Sequence, residues 1–562
     1  MDDRPNLREF LNEVSSFQED EAPAAPAKPA GPAPSAIGTV VEIAGSGSQI
    51  RMDAAIVAAM QSHADPSVAM SGQVGSQIKT VVGSSWLIAN VRTLKAGEPG
   101  ELIAHVDFLG EGTRDSAGRM TNFRRGVTRY PIPGAEVLPV STEDMRSIFA
   151  ASDEPHIEIG TVYPTDDIRG ALYVDPMLGK HFAVLGSTGT GKSTAVSLIL
   201  HRISDLSPEG HIVMIDPHGE YSAAFKGCGE LFNVDNLQLP YWLMNFEEHC
   251  EVLLTTHDSE RQRDADILAK CLLAARTKGK DMSQYGRVTV DSPIPYLLTD
   301  LNTIIVNEMG KLDRAGDTVP FQRLKTKLEE LRADPRYTFM FSGMMVSDTM
   351  GGFLAKLFRL PSQGRPISIV DVSGVPSEIT SVVVSVLARM VFDYSIWSRT
   401  EAQRPLLLVC EEAHRYVPKD ENSETGQAVR KILERIAKEG RKYGVSLGLI
   451  TQRPSDLAEG VLSQCGTIIS MRLNNDRDQA CVRAAMPEGA RGFLDAIPAL
   501  RNRECIVCGE GVAIPIRVRF DDLEPEKRPA SSDPSFARLW RESGDEAGII
   551  SRTIKRWRGH GR

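Results

Sequence analysis

Zinc-type cysteine clusters, a membrane span and a uniformly basic surface are all missing from this sequence. Its eight cysteines are scattered, and only Cys505 and Cys508, in ECIVCGEG, form a CxxC pair. Tetrahedral zinc needs four ligands, and no second pair or histidine cluster lies nearby, so buried structural thiols are expected instead. No window reaches the roughly eighteen uninterrupted apolar residues of a membrane span. The opening MDDRPNLREF has neither the basic nor the apolar region of a signal peptide, which points to a cytoplasmic protein with no membrane partner. A net charge of -10 argues against a basic coat for nucleic acid, although net charge governs long-range attraction more than local patches. One run departs from this: SRTIKRWRGHGR carries Arg552, Lys555, Arg556, Arg558 and Arg562 with no acidic residue. It is either a contact for phosphates, a contact for the acidic surface of a neighbouring subunit, or a solvated tail.

What is present is ordinary globular composition, 41% apolar and 25% charged, so disorder dominates only locally. The length of 562 residues suggests roughly three domains. Residues 1–36 read as a short amphipathic segment, with Leu7, Phe10, Leu11 and Val14 at helical spacing, followed by a Pro/Ala-rich linker. The segment is either a partner-docking helix or a frayed end. Over 37–145, short β-rich pieces such as GTVVEIAG, QIKTVVGSSWLIANV, GELIAHVDFLG and GAEVLPV alternate with Gly, Asp and Ser turns, the pattern of a small antiparallel barrel. From 160 to 520, apolar strand-like runs alternate with helical stretches, as in a parallel sheet wrapped by helices, and 246–345 interrupts them as a helical insertion. The C-terminal basic segment occupies 521–562.

The chemistry concentrates in HFAVLGSTGTGKSTAVSLIL. Gly186, Gly191, Lys192 and Ser193 match G-x-x-x-x-G-K-[ST], with an apolar strand before and an apolar helix after, as a phosphate-cradling loop requires. Backbone N–H groups from Gly186 through Ser187, Thr188, Gly189, Thr190 and Gly191, together with the helix N-terminus, favour phosphates. Lys192 reaches the β/γ-phosphates, Ser193 ligates Mg²⁺, and Thr194 stands beside them. Hydrolysis needs a carboxylate at a neighbouring strand end, and RPLLLVCEEAH supplies two. Glu411 is expected in the Mg²⁺ shell, usually through water, and Glu412 beside the attacking water. Asp216 and Glu220 follow the strand IVMI, Asp371 follows ISIV, and Gln452 ends VSLGLIT as a sensor of γ-phosphate or water. Asp216, assigned to the cofactor site, and Asp371 have a second reading as caps of the turns after them. In AVRKILERIAKEGRKYG, Ile432, Ile436 and Ala437 can face the sheet while Arg435, Lys438, Arg441 and Lys442 line the outer face. That face is either solvated, or it carries Arg441 to a nucleotide in the adjoining subunit.

The segments GSTGTGKS, IDPHGEYS, PYWLMNFEE, LLLVCEEAHRYVP, RIAKEGRKYGVSLGLITQRPSDL and IISMRLNNDRD, in this order, resemble the HerA-type hexameric ATPases of the HerA–FtsK group. The resemblance implies an α/β, RecA-like P-loop ATPase core with a helical insertion behind a small antiparallel β-barrel. It further implies a ring of six around double-stranded DNA, driven by ATP and Mg²⁺. It makes Glu412 the catalytic glutamate, Gln452 the γ-phosphate sensor and Arg441 the arginine that serves the nucleotide site, with Arg472 a weaker contact near the phosphates. Many phosphate-loop motors carry Asp where this chain has Glu411, and a tuned rather than a dead site is expected. Lys325 and Lys327 are candidate DNA contacts. Family members work with a separate nuclease of the NurA kind or with a defence effector, so the leading expectation is a DNA translocase or helicase that serves end processing or phage defence. The other readings are an ATP-binding ring scaffold that activates an effector, and a substrate pump for conjugation or secretion.

Overall fold

The computed structural model describes residues 35–562 apart from 257, 282, 284, 312–314, 343–347, 421–425, 487–490, 531–534, 542, 543, 545 and 560–562. The amphipathic start and nearly all of the Pro/Ala stretch lie outside the described residues, as does Arg562.

The first sheet contains β1 (Gly38–Ile43), β2 (Gly47–Asp53), β3 (Gln77–Val82), β4 (Ser85–Ala96), β5 (Glu101–Arg114), β6 (Met120–Arg125) and β7 (Glu136–Pro139). The spatial order is β2-β1-β7-β3-β4-β5-β6, and β2 pairs back onto β5. That pairing closes six antiparallel strands into a barrel, as expected, and leaves β6 on its rim. Val40, Ile50, Met52, Ile78, Val91, Ala104, Val106 and Val137 fill the interior. The opposite wall is buried too, because Trp86, Ile88, Leu109 and Met120 join the core of the domain that follows. This explains why β4 is buried without alternation from Trp86 to Val91.

The second sheet contains β8 (His156–Val162), β9 (Arg169–Tyr173), β10 (Phe182–Leu185), β11 (Ile212–Asp216), β12 (Gly229–Phe232), β13 (Ile367–Asp371), β14 (Leu406–Cys410), β15 (Val445–Thr451), β16 (Thr467–Ser470), β17 (Glu504–Gly509) and β18 (Ile516–Phe520). Its order is β12-β13-β11-β14-β15-β10-β16-β17-β18-β8-β9. Pairings from β12 to β16 are parallel, and those from β16 to β9 are antiparallel. Every residue of β10, β11, β14 and β15 is buried, as strands covered on both faces must be. The contiguous block β13-β11-β14-β15-β10 therefore lines up, along one edge, all the strand ends singled out in the sequence. The antiparallel flank went unrecognised there. Cys505 and Cys508 both lie on β17 as buried free thiols, and burial pushes Cys508 up to about 12.

Three helices pack on the parallel part: α1 (Lys192–Leu206), α2 (Ser377–Trp397) and α3 (Gln427–Glu439). By length and composition α2 could cross a membrane, yet 67% of its most apolar window is buried inside the protein, where it serves as a core helix. On α3, Ile432, Ile436 and Ala437 are buried as expected, while Arg435 sits 4.8 Å over the Phe392 ring of α2.

Residues 246–345 enter between β12 and β13 and are mostly helical, with helices at Phe246–Leu253, Asp258–Thr277, Leu298–Met309 and Ala315–Ala333. Lys325 and Lys327 stand 3.8 Å and 3.9 Å from Glu329 and Glu330 of their own helix. Glu248 fastens the insertion to α2. It completes a capping box with Asn245, accepts from Ser385 Oγ at 2.8 Å, and pairs with Arg389 of α2 at 2.7 Å. Its side chain is fully buried and that of Arg389 is nearly so. Removing one member of a buried pair strands the other, so Glu248→Ala should destabilise the protein by about 3 kcal/mol or more, seen as a lowered urea midpoint. An unchanged midpoint would show that the pair is dispensable.

Candidate nucleotide site

The chain leaves β10 at Leu185 and turns through Gly186–Gly191 into α1. Gly189 and Gly191 have φ of +78° and +95°, a region costly for side-chain-bearing residues. At Gly186 a Cβ would come within 2.9 Å of Met471 Cβ and 3.0 Å of Thr190 Oγ1. Because the residue capping α1 is Gly191, no side chain satisfies the first N–H groups of the helix, which leaves them for an anion. Thr188 and Gly189 form an exposed crown, Thr190 is buried beneath it, and Thr194 is half-buried in the first helical turn.

The loop is fastened from outside. Ser187 N donates to Arg472 O at 2.9 Å, Arg503 N donates to Thr190 O at 3.0 Å, and Asn474 N donates to Ser187 Oγ at 3.2 Å. Thr188 Oγ1 donates to Gln452 Oε1. This last contact follows from topology, since β15 lies between β10 and β14 and so sets Gln452 between the loop and the two glutamates.

Glu411 and Glu412 follow β14, and both are buried. Tyr221 donates its hydroxyl to Glu411 Oε2 at 3.0 Å. Burial pushes Glu411 up to about 8, against the pull of the Lys192 charge and helped by the charge of Glu412. Glu412 adopts the left-handed region, φ +50° and ψ +46°, at a cost on the order of 1–3 kcal/mol that the surroundings must hold. Its Oε2 is buried with no hydrogen-bond partner among the described residues. His414 Nδ1 is 3.2 Å away but is engaged by Thr451 Oγ1 at 2.9 Å, and burial holds this imidazole below its ordinary value. A strained residue presenting an unpaired buried carboxylate oxygen is what a water-orienting base requires.

Asp216 departs from its expected place at the cofactor. Its carboxylate accepts from His218 N at 3.1 Å, Gly219 N at 2.9 Å and Tyr221 N at 2.9 Å, and it is fully buried. A short side chain at a strand end, facing three free amides, is consumed by its own loop, so Asp216 shapes the site from below. Asp371 lies under the same loop, 3.1 Å from where a Cβ on Gly219 would sit. Arg441 is not brought to the loop either. It sits in the turn Gly440–Tyr443 before β15, and lines a cavity of about 770 Å³ with Asp175, His211 and Pro405. The phosphate loop lies at the opposite strand ends, and the seven residues of β15 separate the two by roughly 20 Å at about 3.3 Å per residue. Arg472 directs its guanidinium to Leu500 O and Asn502 Oδ1. Sequence reasoning missed Tyr221, His414 and Arg503. Tyr221 directly follows Glu220 and His414 lies two residues after Glu412, whereas nothing local announces Arg503.

Mg²⁺ is expected at Ser193 and Glu411, and the residues fit it. The donors are oxygens, few in number, as suits an ion that keeps waters and binds substrate phosphates. The orphaned Glu412 Oε2 faces the same strand end. Ser193, Glu411 and the phosphates would hold the ion.

Residues 157–391 match the family model described as "Helicase HerA, central domain". The chain is 25% identical over 520 residues to the DNA double-strand break repair helicase HerA of Pyrococcus furiosus, covering 85% of this chain and 89% of that one. It is 24% identical over 432 residues to the like-named helicase of Sulfolobus acidocaldarius, covering 76% and 80%. The chain is thus similar to helicases of the HerA type along most of its length. The HerA match includes the phosphate loop and IDPHGEYS, and ends ahead of Glu411, Glu412 and Gln452. Among solved structures the chain is similar to VirB4 of Thermoanaerobacter pseudethanolicus, 16% identical with a TM-score of 0.47, over 67% of this chain and 99% of that one.

The raised Glu411 value carries a pH signature in nucleotide-free protein. A folded value above the unfolded one contributes stability that is present at low pH and lost as pH rises through the folded value. Between about pH 6 and about pH 8 the wild type should therefore lose stability relative to Glu411→Gln, measured as the difference in Tm at each pH. A pH-independent difference would contradict the burial assigned to Glu411.

Proposed function

We propose that the chain is an ATP hydrolase that moves along double-stranded DNA as a ring of six, in the cytoplasm, alongside a separate nuclease or defence effector. The observation carrying the hydrolase half is Glu412, buried, strained and unpartnered at Oε2 beside the phosphate-loop strands. In this reading the N–H groups of the loop and of α1 bind the phosphates, and Lys192 offsets their charge. Ser193 and Glu411 hold Mg²⁺, which supplies charge neutralisation at the transferring phosphoryl group. Glu412 orients water and accepts its proton, and Gln452, already touching Thr188, follows the γ-phosphate. Support for DNA comes from the relatives, named as helicases of DNA double-strand break repair. Such contacts would be to backbone phosphate and therefore salt-dependent.

ATP turnover with and without linear duplex, at low and moderate salt, tests this reading. Duplex should stimulate turnover, salt should weaken the stimulation, and Lys192→Ala and Glu412→Gln should each lower turnover at least about 100-fold. Turnover indifferent to duplex would favour a ring scaffold whose hydrolysis is incidental.

The position of Arg441, at the strand ends remote from its own loop, supports action on a neighbour's nucleotide. Mixing inactive Lys192→Ala with inactive Arg441→Ala protomers should then restore activity, since at equal mixing about a quarter of head-to-tail interfaces pair an intact loop with an intact arginine. No recovery in mixed rings would remove Arg441 from the site.

A further inference from the structure

Glu220 has a contact at each end. Its Oε2 accepts from Ser193 Oγ at 3.1 Å, and its backbone O accepts from Ala530 N at 2.8 Å. One residue thus joins the hydroxyl assigned to Mg²⁺ to the chain that leaves the sheet after β18. The same chain is pinned to α1, because Ser197 Oγ, one turn beyond Ser193, donates to Lys527 O at 2.8 Å. The loop carrying Glu220 is not free to drift. Asp216 holds the amides of Gly219 and Tyr221 on either side of it, and Tyr221 is tied through its hydroxyl to Glu411.

We propose that Glu220 is a positioning residue of the magnesium site and that it transmits the occupancy of that site to the chain at Ala530. A serine hydroxyl has one proton and two lone pairs. With the proton held on the Glu220 carboxylate, Ser193 Oγ presents only lone pairs to a cation, and the acceptor raises the electron density of the oxygen. Partners of this outer kind typically change metal affinity 10- to 100-fold. Any adjustment of Ser193 toward the ion is felt by Glu220, and through its rigid loop by the Ala530 amide. Lys527 reports the same change through α1.

The inference rests on the ATPase reading, and one experiment on the full chain separates the two. A fluorescent, non-hydrolysable ATP analogue is titrated at varied Mg²⁺ and in EDTA, with hydrogen exchange followed in the peptide covering 523–530. Glu220→Gln should raise the Mg²⁺ needed for half-maximal analogue binding roughly 10-fold or more and leave binding in EDTA unchanged. In the wild type, Mg²⁺ with analogue should change exchange at Ala530, and in Glu220→Gln it should not. An unaltered Mg²⁺ requirement, or equal loss with and without Mg²⁺, overturns the positioning role. Constant exchange at Ala530 in the wild type overturns the transmission. A wild type that binds no analogue with Mg²⁺ overturns the ATPase reading itself.

Discussion

A phosphate-binding loop must keep backbone N–H groups unpaired and aimed at an anion, although chains otherwise satisfy such groups wherever they can. The rest of the sheet domain is organised around that demand. The loop keeps its shape because it is held by its outer atoms. Arg472 O takes the Ser187 amide, the Arg503 amide is spent on Thr190 O, and Asn474 N engages Ser187 Oγ. These fasteners come from the segments after β16 and before β17. The antiparallel flank is therefore part of the site, since it supplies the rigid side on which the glycine turn leans. Met471 closes the same wall, filling the space that a side chain at Gly186 would need.

Charge is handled by the same economy of partners. Lys192 enters a buried region that already contains Glu411 and Glu412, and the burial that favours a neutral Glu411 works against the attraction of the lysine. Tyr221 relieves Glu411 with a hydrogen bond, and it can do so only because Asp216 folds residues 216–221 into a fixed turn. Glu412 has no such relief at Oε2. The neighbouring His414 Nδ1, 3.2 Å away, is engaged by Thr451 Oγ1 instead.

The two added bodies leave this edge undisturbed. The insertion enters between β12 and β13, at the sheet end farthest from the antiparallel flank, and is clamped by Glu248 and Arg389 at the start of its first helix. The barrel joins the main core through Trp86, Ile88, Leu109 and Met120, so its wall is apolar inside and out.

Local pattern alone determined the glycine turn between strand and helix, the pair of glutamates after β14, the parallel strands β10, β11, β13, β14 and β15, the barrel and the helical character of the insertion. Each is written in contiguous residues, as glycines at turn positions, apolar runs and carboxylates at strand ends. Strand order was beyond it, because pairing is decided by contacts between distant segments. Tertiary structure therefore decided that Gln452 lies between the loop and the glutamates, that Asp216 is spent on its own turn, and that Arg441 faces away from the nucleotide of its own chain. It also decided that Tyr221 and Glu220 reach Glu411 and Ser193. Those contacts join residues 190 and 27 positions apart, which no local spacing can encode.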